Sequence, residues 1–120
     1  MAILDRREIL DCQDLQTVDV MVPEWGGTVR VRMMSGLERD AFEARLRAGE
    51  GMNGARALLV ALCAVDEGGA RLFAEQDAVV VNSKAGFVLD RIATVAMKLN
   101  RIGESGTEEA EKNSDACQTA

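Results

Sequence analysis

The chain has 120 residues, 48% of them hydrophobic, which is the size and composition of one globular domain. Its 14 Lys and Arg stand against 20 Asp and Glu, a formal charge of −6, which argues against a nucleic-acid surface as its main function. Histidine and tyrosine are absent and aromatics make up 3%, so the usual general base, the commonest metal ligand and a base-stacking platform are all missing.

The first expected element runs from Asp5 to about Cys12. Asp5 and Glu8 have capping-box spacing, and Ile9 and Leu10 are its apolar contacts. A hairpin follows. Val18, Val20 and Val22 alternate with Thr17, Asp19 and Met21, and Pro23-Glu24-Trp25-Gly26-Gly27 breaks the run. Val29, Val31 and Met33 then alternate with Arg30, Arg32 and Met34. Two period-2 runs around a Pro/Gly turn predict antiparallel strands, with Asp19 paired to Arg30 and Arg32 on the polar face.

Ser35 and Glu38 form a second capping box, opening a helix from Leu37 to about Ala48. Its apolar positions are Leu37, Ala41, Phe42, Ala44 and Leu46, and Gly49 ends it. Glu43 and Arg47 are spaced as an i, i+4 pair on its solvated face. After a glycine-rich loop, Asn53 or Gly54 opens a helix carrying Leu58, Leu59, Leu62 and Val65. That helix is apolar on most sides, which predicts a central position. Asp66-Glu67-Gly68-Gly69 stops it, and Arg71-Leu72-Phe73 is extended. Residues 75–81 combine a helix start with a strand-favouring Val79-Val80-Val81, and a short helix is the reading adopted. Asn82 or Ser83 caps a last helix from Lys84 to Asn100, with Val88, Ile92, Val95, Ala96 and Leu99 along one stripe and Gly103 closing it.

Residues 103–120 hold five acids against one base, a net −4, and no Leu, Ile, Val or Phe. Such a segment buries too little to offset its ordering entropy and is expected to be a disordered acidic tail. The globular domain is then residues 1–102, with 13 bases and 15 acids, a net −2.

Cys12, Cys63 and Cys117 are widely spaced and odd in number, which suits reduced thiols in a cytoplasmic setting better than a disulfide framework. The early charges Asp5, Arg6 and Arg7 do not suit a signal peptide, and no apolar run approaches the ~18 residues of a membrane span. A soluble, intracellular protein is expected. Gly49-Glu50-Gly51-Met52-Asn53-Gly54 matches the dinucleotide fingerprint in letters, but a helix precedes it where the chemistry needs a strand. Serines lack a histidine to activate them, and the carboxylate pairs Asp66/Glu67 and Glu108/Glu109 fall in turns or the tail. No enzyme activity, cofactor or metal is expected. Trp25, alone of its kind, is either a lid over the core or an anchor for a partner. Met21, Met33 and Met34 add adaptable apolar surface to the hairpin, with core filling favoured for Met33. Trp25, Met21, Met34, Arg30 and Arg32 are the candidate partner-binding residues.

The string Val22-Pro23-Glu24-Trp25-Gly26-Gly27-Thr28-Val29-Arg30-Val31-Arg32, followed by Gly36-Leu37-Glu38-Arg39-Asp40-Ala41-Phe42-Glu43, resembles the tail assembly chaperones of long-tailed bacteriophages and related prophages. Asp66-Glu67-Gly68-Gly69-Ala70-Arg71-Leu72-Phe73 and Lys98-Leu99-Asn100-Arg101-Ile102-Gly103 fit the same family. Met33-Met34 and Val79-Val80-Val81 depart from its pattern. The resemblance implies a non-enzymatic factor, homo-oligomeric and working in the host cytoplasm, that keeps the tape-measure protein soluble until tail-tube protein polymerises around it. It also implies a longer, frameshifted form of the chain that recruits tail-tube protein. Glu111-Lys112-Asn113 can be encoded by a run of adenines, which would place a slippery site beyond the folded body.

The expected architecture is α+β and mostly α: a β-hairpin packed on three to four helices, then the tail. A structural connector or tail subunit of a virion is the alternative function. A small regulatory DNA-binding protein is a further one, against which the body's charge argues. Neither nucleic acid nor membrane is expected as a partner.

Overall fold

The computed structural model describes residues 2–50, 54–102 and 118–119. Helix α1 (Arg6–Asp11) has the expected capping box: the Asp5 carboxylate accepts the Glu8 amide, and the Glu8 carboxylate accepts the Asp5 amide. Its Ile9 and Leu10 are exposed, however, so they are not contacts to the core as the sequence suggested. Strand β1 (Cys12–Gln13) pairs antiparallel with β5 (Gln118–Thr119). Apart from those two residues, the expected acidic tail lies outside the described residues, as does Gly103. Cys12 is disulfide-bonded, which corrects the reading of three reduced thiols; Cys63 is free and buried.

Strands β2 (Thr17–Val22) and β3 (Gly27–Arg32) form the hairpin in the register that the alternation predicts. Asp19 faces Arg30, which donates to both carboxylate oxygens at 2.8 and 3.1 Å. A 3₁₀ turn, Pro23–Trp25, joins the strands; proline opens it and Gly26 closes it at φ 78°. The sheet has a third strand that the sequence concealed, β4 (Ala64–Val65), giving the order β2-β3-β4. Val65, expected on a helix, belongs to this strand and lies opposite Arg30.

The Ser35–Glu38 capping box opens α2 (Gly36–Arg45), which continues as a wider π-helical turn, Leu46–Glu50. Phe42 is buried, but Leu37 is exposed: its place beside the N-cap turns it to solvent. Glu43 pairs back to Arg39 at 3.3 Å rather than forward to Arg47. Helix α3 (Ala55–Cys63) buries every residue except Arg56 and is the centre of the core, as its apolarity implied. Packed around it are α2, α4 (Ala78–Val81), α5 (Gly86–Leu99) and β3. A short 3₁₀ turn, Glu75–Asp77, leads into α4, in line with the helical reading of 75–81.

Helix α5 starts after Ala85, not at Asn82 or Ser83. Those two residues instead wrap the end of α4, where their amides donate to Ala78 and Val80 carbonyls. Val88, Ile92 and Ala96 of α5 face the core together with Leu89 and Ala93. After α5, the Asn100 side chain accepts the Met34 amide at 2.7 Å, and its carbonyl accepts from Arg39. The end of α5 is thereby tied to the β3–α2 junction. The whole is α+β and mostly helical.

Candidate functional site: an apolar groove beside the hairpin turn

The Pro23–Trp25 turn joins β2 to β3 and is tied to α5 by an ion pair. Arg91 reaches Glu24 with two guanidinium nitrogens, at 2.8 and 2.7 Å. The same guanidinium lies 5.1 Å from the centre of the Phe87 ring, a cation–π distance, and donates to the Met21 carbonyl at 3.4 Å. The Arg91 guanidinium beside it holds the Glu24 carboxyl down at about 2. Trp25, one residue on, is therefore placed by a fixed turn.

Trp25 walls an apolar groove of about 500 Å³. Val29 of β3, Val60 of α3, Ala64 of β4, Leu72 and Phe73 of the loop after β4, and Val80 and Val81 of α4 are its other apolar walls. Lys84 is the one charged residue in its lining. That lysine is exposed and takes part in none of the ion pairs among the described residues. Val80 is 68% exposed and Leu72 is also open to solvent, so the groove has an apolar rim as well as an apolar floor. A second cleft, about 460 Å³, lies between α2, α3 and α5, but it is more polar and includes the Arg56–Asp90 ion pair at 3.1 Å.

The five candidate residues separate. Trp25 is 42% exposed and lines the groove. Met21 is 77% exposed on the hairpin. Met34 is 7% exposed and belongs to the core, which removes it from any partner surface. Met33, favoured for core filling, is only half-buried. Arg30 is engaged by Asp19, and Arg32 by Glu38 and the Gly69 carbonyl. Glu111, Lys112 and Asn113 lie outside the described residues.

Sequence reasoning missed Leu72, Phe87, Val79 and Val80 as surface groups. The available signal was Val79-Val80-Val81 itself, since only Val81 of the three is buried. Three β-branched residues in a four-residue helix favour neither helix formation nor solubility.

Of the Gly49–Gly54 stretch, residues 51–53 lie outside the described residues; Gly49, expected to end the helix, and Glu50 belong to the π-helical turn that continues α2, and Gly54 leads into α3. Among the described residues, no group of three or more His, Cys, Asp or Glu is placed to hold a metal ion. Among the same residues, no helix is long and apolar enough to cross a membrane.

The described residues form a small helical body with a three-stranded sheet and an open apolar groove. No family model and no curated protein sequence matches the chain. Among solved structures, it is similar to the bacteriophage HK97 tail assembly chaperone. The two share 22% sequence identity, and the match covers 78% of this chain and 86% of that one with a TM-score of 0.60. The chain thus has the fold of a phage tail assembly chaperone.

Proposed function

We propose that the protein is a phage tail assembly chaperone that binds apolar helical segments of the tape-measure protein and keeps them soluble in the host cytoplasm. The fold supports the class. The observation that carries the reading is the Trp25 groove, an apolar channel with an apolar rim and one cation. A long helical protein with an exposed apolar stripe aggregates unless the stripe is covered. An amphipathic helix laid in a groove covers it reversibly, using anchors at i, i+3 or i+4, and i+7. Several self-associated copies along one target would add avidity. Tail-tube protein then displaces the chaperone, and a longer frameshifted form of the chain, starting near Glu111-Lys112-Asn113, would recruit it.

Co-expression with the long tape-measure-like protein of the same genome tests the reading. Soluble co-purification is expected, and Trp25→Ala should reduce it sharply. A tape-measure protein that stays insoluble with and without this chain sinks the reading. Recovery of the chain from purified virions would favour a structural subunit instead.

A further inference from the structure

The two edges of the three-stranded sheet differ. Beyond β4 the chain closes the edge with itself: Arg71 bridges to Val65, and the Leu72 amide donates to the Ala64 carbonyl at 3.1 Å. The other edge is β2, which pairs with β3 alone. The Gln16 carbonyl accepts the Met33 amide at 2.9 Å. Hydrogen-bonded pairs alternate along an antiparallel ladder, so Val18, Val20 and Val22 bond to β3 while Thr17, Asp19 and Met21 turn their peptide groups outward. Arg91 takes the Met21 carbonyl. The amides and carbonyls of Thr17 and Asp19 have no partner among the described residues.

Proteins blunt such an edge with a lysine, a proline, a bulge or a very short strand, because it is a template for another chain. β2 has six residues, none of them Lys or Pro, in unbroken register from the Thr17–Arg32 pair to the Val22–Gly27 pair. Its one charge, Asp19, is drawn across the hairpin by Arg30 and does not guard the edge.

Beside this edge, between β2 and α5, lies a pocket of about 290 Å³ lined by Gln16, Val18, Val95, Lys98, Leu99 and Arg101. That is room for a side chain rather than for a whole ligand. Side chains alternate faces along a strand, so a residue paired opposite Val18 on an added strand points as Val18 does, toward Val95 and Leu99. Lys98 is exposed and makes no ion pair among the described residues, and Arg101 adds a second positive charge to the lining. Strand addition works through these two parts: main-chain hydrogen bonds give affinity, and pockets for alternate side chains give specificity. A cation beside an apolar slot selects an acid close to an apolar residue. We propose that the β2 edge binds an extended acidic segment of a partner protein as a fourth strand, with an apolar side chain opposite Val18 and a carboxylate two residues away paired to Lys98. The pocket shares no residue with the lining of the Trp25 groove, and the inference does not depend on the function proposed above.

The probe is a short, labelled, threonine-rich peptide with a leucine and a glutamate two places apart. It is titrated into the purified full chain by fluorescence anisotropy, and amide hydrogen exchange of the complex is read by NMR. The Thr17 and Asp19 amides are expected to exchange freely in the unbound chain and to be protected in the complex. A fully N-methylated peptide cannot donate to the edge and should not bind. Thr17→Pro removes one outward amide and spares the ladder to β3, since proline is tolerated on the outer side of an edge strand; affinity should fall several-fold. Lys98→Glu, at an exposed position that leaves the melt unchanged, should weaken binding several-fold, and a peptide with lysine in place of glutamate should recover the loss. Val80→Asp, in the groove, should bind the peptide like the parent. No binding by the parent, equal binding of the N-methylated peptide, or failure of the charge exchange overturns the proposal. So do Thr17 and Asp19 amides already protected in the free chain, the mark of an edge taken by a second copy. Loss of binding in Val80→Asp places the peptide in the groove and overturns it as well.

Discussion

Arg32 on β3 donates from a single guanidinium nitrogen to both carboxylate oxygens of Glu38 on α2, at 2.9 and 3.1 Å. The same carboxylate accepts the Ser35 amide at 2.9 Å and lies 3.5 Å from Arg71, beyond β4. Arg32 uses its other terminal nitrogen on the Gly69 carbonyl. Glu38 is the one buried charged residue among those described, and it joins strand, helix and loop. The motifs that carry the family resemblance meet here, so their first role in this chain is to hold the fold.

Truncating this hub should be costly for stability and neutral for the groove. Breaking a buried ion pair by removing one partner costs about 3–5 kcal/mol, and Arg32 and Arg71 retain some solvent, which points to the lower end. Glu38→Ala is expected to lose about 3 kcal/mol in urea denaturation. At temperatures where the variant is folded, its affinity for an apolar helix should equal the parent's.

The Glu24–Arg91 pair predicts a pH dependence. Arg91 holds the Glu24 carboxyl down at about 2, against an ordinary value of 4.5. A depressed carboxylate stabilises the folded state in full above its unfolded value, and the contribution is lost as pH falls through its folded value. The stability difference between the parent and Glu24→Gln should therefore be constant above about pH 5, shrink below 4.5 and vanish near 2. Carboxyl NMR of Glu24 should give a midpoint near 2.

What the sequence made legible is what short-range chemistry specifies. Asp5 with Glu8, and Ser35 with Glu38, announce their helices because each cap is closed within three residues. The hairpin and its Asp19–Arg30 pair follow from period-2 alternation around one turn. Strand β4 was hidden because two residues carry no period; only pairing with β3 makes them a strand. Met33 and Met34 could not be sorted by alternation, since the chain leaves β3 and turns into α2 at that point. Trp25 stood out as a candidate by its place in a Pro/Gly turn. The walls opposite it, Leu72 and Val80, come from segments about fifty residues away and become neighbours only after folding.

Cys63 should behave as an inert thiol. It ends α3 with no solvent exposure, and burial pushes its thiol up to about 12, although the Asn100 amide donates to the sulfur at 3.6 Å. Only the thiolate attacks an alkylating reagent. In the native, unreduced chain, where Cys12 is disulfide-bonded, Cys63 labelling at pH 8 should proceed no faster than global unfolding. Mass spectrometry of a labelling time course, with and without urea, checks this.

Trp25 and Val80 should separate binding from stability. Val80 is largely exposed, so Val80→Asp should change folding stability by no more than about 0.5 kcal/mol. If the groove binds an apolar helix as proposed, however, the substitution places a carboxylate where a side chain of that helix would lose water. An unpaired, desolvated charge is among the most costly interface defects. Trp25→Ala removes the largest wall of the groove, and aromatic anchors of this kind contribute about 2 kcal/mol or more, a loss of roughly 30-fold in affinity. Titrating a fluorescent amphipathic helix against the parent and both variants should show these losses. The same titration with Arg30→Ala should show no change, because Arg30 is already committed to Asp19 across the hairpin. If Arg30→Ala weakens binding as much as Trp25→Ala, the partner lies on the polar face of the hairpin and not in the groove.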